Sequence, residues 1–197
     1  MKNNLFKDDK GFSLIELIVA VLIMAIIAGG AIYAFSSVYS TEVKAGATKV
    51  CDALKQARTS ALALENRNQD MSGYVATEVY AKFYSKDDVL YVDVCSKPFT
   101  GTETVYYTEK IGSGMKATFQ KVKDDGSLDT WTADTSTSKN IYVYFKKSTG
   151  GISGVRKVDP GDDGKTSVKL IKLENTKTGL SKNLILVDLT GRCYVED

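Results

Sequence analysis

From Leu17 to Phe35 the chain runs for 19 residues without a charge, long enough to cross a bilayer as one helix. A single acid, Glu16, stands at the near end of that run. Ahead of it lies a charged leader holding Lys2, Lys7, Lys10, Asp8 and Asp9. Basic residues favour the cytoplasmic side of a span, and acids count little in that rule. The amino terminus is therefore expected in the cytoplasm and the remainder of the chain beyond the membrane. A secretory signal has an apolar core of about 7 to 15 residues, with a small-residue cleavage site after it. This core is longer and has an acid at its entrance. A lipoprotein signal would need a cysteine just past the core, and the first cysteine is Cys51. An ordinary single-pass anchor fits the length and hydropathy equally well.

A carboxylate inside an apolar helix costs about 2.5 to 3.5 kcal/mol at the centre and less near an end. Something has to offset that cost. Ser13-Leu14-Ile15-Glu16 has the Ser-x-x-Glu spacing of a capping box, which satisfies free amide donors at a helix start. The other candidate partner is an ammonium, which a cut after Gly11 would create on Phe12.

The string GFSLIELIVAVLIMAIIAGGAIYAF, from Gly11 to Phe35, resembles the amino-terminal signature of type IV prepilins and of the pseudopilins of type II secretion. The resemblance implies cleavage by prepilin peptidase between Gly11 and Phe12, followed by N-methylation of Phe12. It also implies that Glu16 meets the amino terminus of a neighbouring subunit when the helices pack into a filament. Many members of that family carry a mid-helix proline; here Tyr33 falls at the position. Gly29 and Gly30 are the residues that could loosen the helix instead.

The remainder, residues 36–197, has the size of one domain. With the leader charges and Glu16 set aside, 23 of the 26 basic and 21 of the 24 acidic residues remain. A balance of two charges is no footprint of a dedicated nucleic-acid binder, although residues 139–192 hold 11 Lys or Arg against 5 acids. The chain has no histidine, so it lacks the commonest general base and metal ligand. No phosphate loop, nucleophile elbow or spaced metal-ligand cluster is present. No enzymatic activity, catalytic residue or cofactor is expected.

Beyond Phe35, apolar or small residues recur at Val43, Ala47, Val50, Leu54, Ala57, Ala61 and Leu64. Steps of four and three mark one face of a helix, so the helix is predicted to continue from Phe12 to Leu64. From Gly73 the period changes to two: Val75, Thr77, Val79, Ala81 and Phe83 alternate with more polar neighbours. Lys86-Asp87-Asp88 reads as a hairpin turn returning through Val89–Val94. Further strands are predicted at 104–109, 115–122, 141–146, 167–173, 183–189 and 192–195. The Thr-, Ser- and Asp-rich stretch 124–140 reads as a long surface loop around Trp131. A long amphipathic helix on an antiparallel sheet is the α+β solution, which is also the pilin-like fold.

Leu54-Lys55-Gln56-Ala57-Arg58-Thr59-Ser60-Ala61 resembles a stretch of the H-type minor pseudopilins and related competence minor pilins, and Leu189-Thr190-Gly191-Arg192 resembles their closing Gly-Arg turn. In some competence pilins a second basic residue follows that turn and the loop contacts DNA. Here Tyr194 takes that place and Glu196-Asp197 follow, so Arg192 reads chiefly as an exposed residue of a hairpin turn. Cys51, Cys95 and Cys193 allow at most one internal bridge, drawn from two of the three. Asp159, Asp162 and Asp163 raise calcium, which some major pseudopilins hold in a late acidic loop. Their order does not match the spaced EF-hand ligands, and no metal is expected there.

The expected organisation is a leader at 1–11, a transmembrane and filament-core helix at 12–35, and an extracytoplasmic domain at 36–197. The expected role is a structural, minor subunit of a type IV pilus or type II secretion-like pseudopilus. Its partners would be prepilin peptidase, other subunits, the pilus assembly machinery and the membrane, with no nucleic acid. A DNA-binding competence minor pilin and a non-polymerising single-pass surface protein are the alternatives.

Overall fold

The structure is a computed structural model that describes residues 13–68, 77–98, 102–122, 127–133, 140–157 and 166–196. The chain divides into two compact units, one reaching Val38 and the other spanning Tyr39–Asp197. Helix α1, Leu14–Asn68, contributes to both and runs unbroken through Gly29 and Gly30. The absent proline is thus not replaced by a glycine break, because every residue of the run still donates its backbone N–H to the helix.

In the second unit the predicted stripe is the buried face of α1. Val43, Ala47, Val50, Leu54, Ala57 and Ala61 are all within the core, and Leu64 packs at its edge. Small side chains let this face sit close to the strands. At Gly46 an added Cβ would come within 3.2 Å of Leu173 and 3.3 Å of Ile111.

Among the described residues ten strands follow, paired in two sheets in which every adjacent pair is antiparallel. The first sheet has the order β3-β2-β1-β6-β7, formed by Thr104–Ser113, Val89–Pro98, Thr77–Lys86, Ile141–Phe145 and Ile152–Lys157. The second has the order β10-β9-β8-β4-β5, formed by Arg192–Val195, Ser181–Val187, Leu170–Asn175, Met115–Val122 and Leu128–Ala133. The chain passes from the first sheet to the second at Gly114, whose φ of 62° suits a residue without a Cβ. Phe83 of the first sheet and Phe119 of the second meet edge to face, with centroids 5.0 Å apart. The helix therefore packs on two sheets that share its core, where a single sheet was expected.

Two strands depart from the sequence reading. Leu128–Ala133 is a strand inside the stretch read as a surface loop, pairing Phe119 with Trp131 and Thr118 with Thr132. Its polarity is that of an edge strand, and its threonines are β-branched residues that suit a pleated ribbon. Ile152–Lys157 was also unanticipated. Gly154 interrupts its pattern at φ 147°, beside a register shift between Tyr144 and Phe145, and an internal glycine of this kind marks a bulge.

The face of the first sheet turned away from the helix carries a separate small core of Tyr80, Cys95 and Tyr144, with Tyr142 against it. Tyr80 lies 5.2 Å from Tyr144 and 5.4 Å from Tyr142, centroid to centroid. Burial pushes the Tyr80, Tyr144 and Cys95 protons up in pKa, and the Glu103 carboxylate adds to the effect on Tyr80 and Cys95. Burial and the Asp93 carboxylate, which accepts from the Tyr84 hydroxyl, push Tyr84 up to about 12. A folded-state pKa above the unfolded value means that the neutral form is the one the fold holds. The stabilisation is intact below about pH 10 and is lost as pH rises through about 12. In alkaline titration the last part of the rise in tyrosinate absorbance at 295 nm, that of the buried tyrosines, should therefore coincide with loss of the β-sheet circular dichroism. A rise that runs to completion with the sheet signal retained would contradict this account.

Candidate functional site: the helix start and its apolar run

Residue Ser13 begins the helix through its backbone and side chain together. Its N–H donates to Glu16 Oε2 at 2.9 Å, its Oγ accepts from the Ile15 N–H at 3.4 Å, and its carbonyl accepts from the Leu17 N–H at 3.2 Å. The Glu16 carboxylate thus folds back over the first turn, where the helix dipole favours a negative charge. Gly11 and Phe12 lie outside the described residues. In sequence, Ser13 directly follows Phe12, so the carboxylate is tethered one residue from the junction that concerns processing.

From that turn as far as Phe35 the helix buries no large apolar side chain. Every large apolar side chain from Leu14 to Phe35 is exposed, with Leu14 at 77% and Tyr33 at 80%. The segment is long and apolar enough to cross a membrane. A soluble monomer does not present so large an apolar surface, so lipid or other helices must cover it. Beside Glu16 the surface dips into a shallow apolar groove of about 300 Å³, lined by Ile15, Glu16, Val19, Ala20 and Ile23.

Residues 6–32 match the family described as the prokaryotic N-terminal methylation motif. This is the type IV prepilin and pseudopilin signature. No curated protein and no solved structure matches the chain. The motif implies processing by prepilin peptidase and assembly with other pilin subunits. The apolar helix and the motif together make it a membrane-anchored, pilin-like protein of α+β architecture.

The remaining candidate residues lie in the second unit. Cys51 of α1 and Cys193 of β10 form a disulfide, with Cα atoms 5.2 Å apart, and Cys95 is a buried free thiol in the tyrosine cluster. Arg192 is exposed at the start of β10, directly after a turn in which Gly191 N–H donates to the Val187 carbonyl at 2.8 Å. Gly191 has φ 63°, and a Cβ there would run into the Gly150 carbonyl oxygen. Only glycine suits that position. Arg58 packs on both glycines: its side chain comes to 2.9 Å from a Cβ placed on Gly150 and 3.4 Å from one placed on Gly191.

The sequence showed Arg58 and Arg192 as parts of two separate strings, 134 positions apart. The structure brings them together at one corner, where Lys55, Arg58, Arg192, Asp52, Tyr194 and the disulfide line a cavity of about 460 Å³. Nothing in the sequence around Gly150 pointed to Gly191. Asp159, Asp162 and Asp163 lie outside the described residues. Among the described residues, no three His, Cys, Asp or Glu side chains are grouped to hold a metal ion.

Proposed function

We propose that this chain is an architectural, minor subunit of a type IV pilus or a type II secretion-like pseudopilus, without catalytic activity or a cofactor. The observation that carries the reading is the wholly exposed apolar run from Leu14 to Phe35, headed by Glu16 inside the matched motif. The leader faces the cytoplasm and the sheet domain lies beyond the membrane. After cleavage, the methylated ammonium of Phe12 on one subunit and the Glu16 carboxylate of its neighbour neutralise each other in a low-dielectric filament core. A charge pair of that kind is strongly destabilised when one partner is removed. The Glu16 to Ser13 bond is compatible with this role, because Oε1 remains available while Oε2 caps the helix.

Glu16→Ala is the test. It deletes a charge from an apolar helix, so membrane insertion should be unchanged or slightly better. The share of the protein recovered in sheared filaments should nevertheless fall by about tenfold or more, as expected for an unpaired buried charge. Wild-type recovery of Glu16→Ala in filaments would reduce Glu16 to a helix cap.

A further inference from the structure

The corner where α1 meets β10 carries a net positive pocket that neither the motif nor the helix requires. Lys55, Arg58 and Arg192 line it, with Asp52 as its one acid and Tyr194 on the wall. Among the described residues, none of the three cations has an ion-pair partner, and the buried Nε of Arg58 has no hydrogen-bond acceptor. A buried donor without an acceptor is costly, and cations converging on a concave surface favour an incoming carboxylate, which Arg can grip with two parallel bonds.

The complementary group is at the other end of the same unit. The β1–β2 turn presents Asp87 and Asp88, both exposed and both at positive φ (52° and 59°). Exposed Lys86 precedes them and Lys177 packs on Gly114, but among the described residues neither carboxylate has an ion-pair partner. The turn is held in place: the Gly114 N–H donates to the Asp88 carbonyl at 2.7 Å, and the Thr176 N–H donates to the Gly114 carbonyl at 2.7 Å. The strand register puts this turn and the pocket at opposite ends. In the pairing of β1 with β6, Val79 meets Phe145, so Lys86 and the turn point away from the 146–151 turn that carries Gly150. On α1, likewise, Gly46 faces Ile111 and Leu173 whereas Arg58 faces Gly150. Ten residues of β1 separate the two ends by roughly 30 Å.

We propose that the Lys55–Arg58–Arg192 pocket receives the Asp87–Asp88 turn of a second copy of this chain. Two unpaired carboxylates at one end and a basic pocket at the other could close in an antiparallel two-fold pair, but chains whose helices enter one membrane in the same direction cannot adopt that pairing. They make a head-to-tail contact that propagates in one direction. The pairing deepens the pilus-subunit reading by naming a contact between globular domains, and it is distinct from the Glu16 contact. A concave site with three cations and one acid suits a single acidic turn. Duplex DNA would need a longer basic track to neutralise successive phosphates.

The test uses the full chain in detergent micelles, mixing unlabelled and ¹⁵N-labelled protein and applying a carbodiimide, which joins a carboxylate directly to an amine in contact with it. Peptides joining Lys55 to Asp87 or Asp88 with mixed isotope labels are the expected result. Lys55→Glu with Arg192→Glu should reduce recovery in sheared filaments about tenfold, because like charges are then juxtaposed. Adding Asp87→Lys with Asp88→Lys on the same chain should restore most of it.

Absence of mixed-label Lys55 peptides, or links confined to one molecule, would overturn the pairing. So would micromolar binding of duplex DNA that blocks the cross-link and collapses in Arg192→Ala, which would make the pocket a nucleic-acid site. The cross-link is read in micelles whether or not filaments form. Its failure is therefore separable from failure of the pilus reading, which shows as wild-type protein that never enters filaments.

Discussion

Gly11→Val should leave the whole chain in the membrane with its leader attached. The matched motif spans residues 6–32 and so contains both sides of the junction. Glycine lets the backbone approach an enzyme surface that any Cβ would hold off, and valine adds a branched Cβ at that point. The wild-type protein should be recovered without residues 1–11 and with one added methyl group on Phe12. Intact mass of the purified membrane protein distinguishes the forms directly: full length for the variant, cut and methylated for the wild type. A wild-type terminus near Ser36 would mean ordinary signal cleavage and would end the prepilin reading. Because an uncut leader keeps Lys2, Lys7 and Lys10 on the helix, Gly11→Val should also be absent from filaments.

Loss of the Cys51–Cys193 bridge should be the largest stability effect of any single change in the second unit. The bridge closes a sequence separation of 142 residues. In the chain-entropy account a loop of that order is worth about 4 to 5 kcal/mol, a large part of the roughly 5 to 15 kcal/mol that holds a domain folded. It ties the helix to the last strand, which is four residues long and lies at the edge of its sheet beside β9. Cys51→Ser should lower the melting temperature by roughly 10 to 15 °C for a domain of this size, followed by sheet circular dichroism of the full chain in detergent. Reduction of the wild type should give the same shift. Alkylation under native conditions should leave the buried Cys95 untouched, and after reduction should modify Cys51 and Cys193 alone. A shift below about 2 °C would mean that β10 is held by its strand pairing and the bridge adds nothing.

Local patterns were readable where one physical requirement acts on consecutive residues. The stripe from Val43 to Ala61 follows from helix geometry, because a face that must be buried repeats every three or four residues. Glu16 and Ser13 are close enough in sequence for a capping box to be seen in advance. The strand at Leu128–Ala133 was hidden because an edge strand needs few apolar residues, and its polarity resembles that of a loop. Ile152–Lys157 was hidden by Gly154, which a bulge requires and a strand pattern does not forecast.

From the sequence alone came a membrane-length helix, its charged leader and the apolar stripe on which a sheet must pack. Each is a matter of composition or period within a few turns of chain. Only the tertiary structure decided that the strands divide into two sheets and that Cys51 joins Cys193. It alone gathered Lys55, Arg58 and Arg192 around Gly150 and Gly191. These outcomes depend on which strands pair and where the last one returns to the helix. The helix and the two turns that meet there lie about forty positions or more apart, beyond the reach of any local periodicity.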